Sequence, residues 1–69
     1  MMPTDNFKKY DRGRILAGRF DGVVGEIEQI DDKKQIITVL ADVPGFGSRL
    51  IAIDVEPRNL VRVDERGQS

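Results

Sequence analysis

Sixty-nine residues with 11 Lys and Arg, 12 Asp and Glu and no His give a formal net charge of −1, with 39% of residues hydrophobic and 33% charged. A chain this short forms one small domain and buries only about 60% of the surface its unfolded form exposes, so a second domain is excluded. Without Cys or His, the usual zinc sites, disulfide frameworks, thiol nucleophiles and histidine acid–base pairs are excluded too, and no metal or cofactor is expected. The longest apolar run, residues 50–53, is far below the roughly 20 residues that span a bilayer, and residues 1–10 lack the apolar core of a signal peptide. The expected setting is therefore the cytoplasm, with no membrane contact. Near-balanced charge also argues against coating nucleic acid by bulk electrostatics.

In chain order, residues 1–11 are polar and aperiodic, and are expected to form a flexible N-terminal arm anchored by Phe7 and Tyr10. The folded domain is placed at residues 12–63, followed by a flexible C-terminal tail over 64–69. Short β-branched bursts broken by turn residues predict strands rather than helices. The first covers residues 14–17 and closes at Gly18. The second covers 23–30 and opens on Asp21-Gly22, with Gly25 marking a bulge or a close backbone approach. Ile27 and Ile30 lie three apart, so they share a face only if this strand bulges or ends there.

The charged turn Asp31-Asp32-Lys33-Lys34 leads into a third strand over 35–42 and makes a hairpin. Ile37, Val39 and Ala41 line one face of it, and Ile36, Thr38 and Leu40 the other. With both faces apolar, this strand either sits inside the sheet or carries an exposed apolar stripe. A loop with Pro44, Gly45, Phe46 and Gly47 precedes a fourth strand over 49–55, where Ile51, Ile53 and Val55 point inward. Residues 56–59 contain Pro57 and predict a tight or 3₁₀ turn before a fifth strand over 60–63. Five short antiparallel strands around one thin core predict an all-β barrel, since closure removes exposed sheet edges.

The segment from Gly13 to Asp31 resembles a KOW motif: an apolar strand, then Gly18, Gly22 and Gly25, then Ile27 and Ile30-Asp31. The similarity continues through Phe46-Gly47-Ser48-Arg49, the strand 51–55 and Asn59-Leu60-Val61, so residues 11–63 resemble the C-terminal KOW domain of the NusG and Spt5-type transcription factors. Three features depart from that family: Gly18-Arg19-Phe20 replaces its Gly-Pro-Phe, Pro44-Gly45 and Ser48 enlarge its Phe-Gly-Arg loop, and its Thr-Pro ahead of the fourth strand is absent. The polymerase-binding N-terminal domain has no counterpart in these residues. The resemblance implies a five-stranded antiparallel SH3-like barrel serving as a non-enzymatic adaptor in transcription elongation or termination, or in coupling transcription to translation. It implies a protein-binding surface made of Phe46, Arg49, Phe20 and Val43.

Phe46 and Phe20 each have a competing reading. Phe46 lies between two glycines and either contacts a partner, as aromatic and Arg residues commonly do, or folds back to cap the barrel. Phe20 either faces a partner or plugs a barrel end. Gly45-Phe46-Gly47 has no following Lys-Ser/Thr and no helix, so it is not a phosphate loop. Residues 8–19 hold five cations against Asp11, and Lys8, Lys9, Arg12, Arg14 and Arg19 interleave with Tyr10 and Phe20 as in RNA-binding surfaces. Solvated surface charge is the simpler reading of the same residues. Carboxylate pairs such as Asp31-Asp32 lack a nucleophile or pocket, so neither catalysis nor a small-molecule substrate is expected. Three roles remain: a protein-interaction adaptor, an RNA-binding or ribosome-associated module using residues 8–19, and a structural subunit whose Ile36, Thr38 and Leu40 face a neighbour.

Overall fold

The computed structural model describes residues 3–45, 47 and 49–63. Five strands, β1 (Arg12–Ile15), β2 (Val24–Asp31), β3 (Ile36–Asp42), β4 (Leu50–Val55) and β5 (Leu60–Val63), form one antiparallel sheet in the order β4-β3-β2-β1-β5. Short 3₁₀ turns occupy Pro3–Asn6, Gly18–Phe20 and Pro57–Asn59. This is a small SH3-like all-β fold. The expected closure is not present, because the sheet order ends at β4 on one side and at β5 on the other. Between those two strands the chain passes through Glu56 and a turn that starts at buried Pro57, a residue with no backbone donor, so no ladder runs from β4 into β5.

The strands follow the alternation of their side chains. Ile37, Val39 and Ala41 of β3 are buried, while Ile36, Thr38 and Leu40 on its other face are half-buried, in a strand flanked on both sides. Ile53 and Val55 of β4, Ile15 of β1, Ile27 of β2 and Leu60 of β5 complete the core, and Phe7, Phe20, Val23, Ile30 and Ile51 pack around it. β2 carries an irregularity between Ile27 and Gln29: Ile27 pairs with Val39, yet Gln29 pairs with Thr38. Glu28 is thus the extra residue of a bulge, which resolves the spacing conflict between Ile27 and Ile30.

At Gly25 of β2 the facing β3 leaves no room for a side chain. A Cβ there would collide with the Leu40 carbonyl oxygen and lie 2.7 Å from Val39 Cγ1. Its cross-strand partner is Gly13, where a Cβ would lie 2.8 Å from Leu60 Cδ1. Two facing residues without side chains let the sheet curl tightly enough for a thin core to be covered from both sides.

Residues 3–11, expected as a loose arm, lie against the sheet as a strap. Thr4 is buried to 2% exposure and its hydroxyl hydrogen-bonds the Asp32 carboxylate in the β2–β3 turn. Phe7 packs on the core. The Tyr10 amide donates to the Ile27 carbonyl at 2.8 Å and the Ile27 amide to the Asp11 carbonyl at 2.7 Å, extending the β1–β2 ladder toward the bulge. Tyr10 adopts a left-handed backbone with φ of 77°, unusual for a bulky residue, and both bonds flank it.

Candidate functional site

Register brings two loops to one end of the sheet. Glu26 pairs with Leu40, and the same register continued by two residues places Val24 at the head of β2 opposite Asp42 at the end of β3, which itself pairs with Leu50 at the head of β4. The β1–β2 loop (16–23) and the β3–β4 loop (43–49) therefore emerge side by side. The first is folded by Gly22 donating to the Ile15 carbonyl at 2.6 Å and by Asp21 donating to the Gly18 carbonyl at 3.2 Å. Gly18 and Gly22 have φ of 83° and 91°, the left-handed conformation that favours glycine.

Phe20 stands on this loop, half-buried, with one side packed on the core and the Arg19 guanidinium carbon 5.8 Å from its ring centroid. In the neighbouring loop Arg49 is exposed, whereas Val43 is buried at 7% exposure and belongs to the core. Val43 continues the inward series of Ile37, Val39 and Ala41, a signal already present in the sequence, so it secures the root of the loop instead of presenting a contact surface. Phe46 and Ser48 lie outside the described residues.

Below the two loops, the outer face of the sheet holds a shallow hollow of about 430 Å³ lined by Val24, Leu40 and Leu50 together with Arg12, Glu26 and Asp42. Leu50 is 62% exposed. Leu40 lies on the face of β3 opposite its core residues, and Leu50 on the face of β4 opposite Ile51, Ile53 and Val55. Their convergence depends on the β3–β4 register and was not readable from either strand alone.

The basic residues of the alternative RNA surface are dispersed. Lys8 and Lys9 are exposed on the strap, Arg12 and Arg14 point outward from β1, and Arg19 sits on the turn before Phe20. Lys9 Nζ lies 5.4 Å from the centroid of the Tyr10 ring, which is 68% exposed. Among the described residues no cluster of three or more Asp or Glu side chains is arranged to hold a metal ion, and no helix is long and apolar enough to cross a membrane.

Residues 11–39 match the KOW motif family. The fold is similar to one chain of an MjSpt4:Spt5 complex, with a TM-score of 0.72 and 23% identity, covering 87% of this chain and 39% of that one. It is equally similar to Thermotoga maritima NusG, with a TM-score of 0.72 and 24% identity, covering 84% of this chain and 31% of that one. The chain thus spans well under half the length of either. No curated protein matches it by sequence. Motif and fold point the same way: residues 11–39, from the end of the strap into β3, match the KOW motif family, and they lie on an SH3-like sheet similar to those of the Spt5 and NusG chains.

Proposed function

We propose that this domain is a non-enzymatic adaptor of the NusG C-terminal KOW type, joining a protein of the transcription or translation machinery through the paired loops and working in the cytoplasm. The observation that carries the reading is the juxtaposition of the β1–β2 and β3–β4 loops beside an outward apolar hollow that includes the exposed Leu50. Aromatic and arginine side chains around an apolar centre are the usual energetic anchors of a protein interface. Phe46 and Arg49 take that role on one loop and Phe20 on the other, with Val43 holding the first loop in place. The likeness to Spt5 and NusG supports the setting in transcription elongation, termination or its coupling to translation.

A pull-down from lysate of the source cell tests this. Wild type, Phe46→Ala and Arg49→Glu are compared, with and without nuclease. Capture that disappears with either substitution and survives nuclease supports the adaptor. Capture that disappears only with nuclease favours the second reading, an RNA or ribosome contact through Lys8, Lys9, Arg12, Arg14 and Arg19, for which the exposed Tyr10 beside Lys9 supplies a stacking surface. Capture indifferent to both treatments removes the two together.

A further inference from the structure

The edge of β5 that faces away from β1 has its own lining. A hollow of about 400 Å³ is bordered by Phe7 of the strap, by Pro57 and Arg58 of the last 3₁₀ turn, and by the consecutive residues Leu60, Val61 and Arg62. Side chains of a strand alternate between its two faces, so a hollow lined by three successive residues runs along the strand's edge. β5 pairs with β1 on its other side and ends the sheet order, so among the described residues no strand covers this edge and it can take an added one. Around Pro57 the hollow adjoins a second one of about 400 Å³ that also includes Lys34 and Glu56.

Charge selects the occupant. The two hollows are rimmed by Lys34, Arg58 and Arg62 against Glu56, in a chain whose overall charge is −1. Arg58 contacts Glu56 at 2.8 Å with 79% of its side chain exposed, and Arg62 reaches Asp11 only at 3.8 Å with 59% exposed. A second copy of the chain fits poorly, because antiparallel pairing of two β5 edges brings the Arg58 and Arg62 side chains of both copies into one seam, where like charges repel. Phe7, Pro57 and Val61 favour apolar side chains between the charges. We infer that the β5 edge is a second docking site, taking an extended acidic segment of a protein, with alternating acidic and apolar residues, as an added antiparallel strand.

The test is a ¹⁵N chemical-shift titration of the full chain with a short synthetic peptide alternating Glu and Val. Shifts centred on Leu60–Val63 and on Phe7 are expected, weakening as salt is raised. The same peptide with Lys in place of Glu should bind far more weakly. Arg58→Glu combined with Arg62→Glu should reduce affinity roughly tenfold or more and improve binding of the Lys peptide, since two solvent-exposed charge pairs are inverted. Both positions are exposed, and a dispersed spectrum of the double variant verifies its fold; the two peptides on wild type decide the matter independently. The inference is overturned if β5 amides do not move, if the Lys peptide binds equally, or if oligouridine displaces the Glu peptide from these same amides. It is overturned as well if sedimentation shows a dimer that Arg62→Glu abolishes.

Discussion

The strap of residues 3–11 and the β3–β4 loop of residues 43–49 both lack a sustained hydrophobic period, yet their described residues are treated oppositely by the structure. The strap is tied at each step: Thr4 to Asp32, the Phe7 amide to the Thr4 carbonyl at 3.1 Å, the Lys8 amide to the Asp11 carboxylate at 3.1 Å, and Tyr10 and Asp11 to both sides of Ile27. In the loop only Val43 is buried among the described residues, and Gly45 and Gly47 take left-handed φ of 94° and 81°. A connection becomes part of a fold when its backbone groups find partners and one or two side chains find the core. It becomes a display surface when its glycines let it leave the core quickly.

Substitutions can break this contrast or sharpen it. The largest effect is expected at Ile27, which is fully buried and holds the strap through its own amide and carbonyl. Ile27→Ala should cost about 2–5 kcal/mol in urea denaturation, enough to unfold much of so small a domain. Gly25→Ala comes next, at about 1–3 kcal/mol, since the new methyl meets the backbone of β3 and cannot be relieved by turning a side chain. Thr4→Val keeps the shape and removes the hydroxyl that meets Asp32. A loss of about 1 kcal/mol is expected, accompanied by faster hydrogen exchange at the Tyr10 and Ile27 amides and unchanged exchange in β3 and β4. Equal acceleration throughout would show that the strap is inseparable from the sheet. The smallest effect belongs to the loop: Arg49→Glu should shift stability by less than about 0.5 kcal/mol while removing partner capture.

Much of the sheet was legible because its causes are local. Alternation marked the inward residues of β3 and β4, Pro57 marked the turn before β5, and the three-residue gap between Ile27 and Ile30 implied a break in regular pairing. What escaped has causes distributed along the chain. The strap's order rests on backbone bonds to Ile27 and on a single buried hydroxyl, none of which leaves a hydrophobic period to detect. Barrel closure was inferred from the liability of open edges, while the chain leaves both edge strands unpaired with each other and guards one with arginines. Of the candidate site, the exposure of Arg49 and the partial burial of Phe20 fit their loop positions. The burial of Val43 followed a pattern that extends two residues past Ala41, and the outward hollow required the pairing of Leu40 with Ala52 and of Asp42 with Leu50.

The extra residue in β2 gives the hairpin a phase. Upstream of Glu28, Gly25 and Ile27 face the core, and downstream the inward parity changes so that Ile30 packs there. Asp31, next along, is then turned so that its carboxylate accepts the Lys33 amide at 3.1 Å and the Lys34 amide at 3.0 Å, which closes the turn on which Asp32 awaits Thr4. A regular ladder forced through every residue of β2, with Glu28 opposite Thr38, would turn Ile30 outward and carry the turn's cap and the strap's latch with it. Counting through that position is therefore a form of timing: the hairpin, its cap and the strap stay synchronised only while β2 runs one residue ahead of β3.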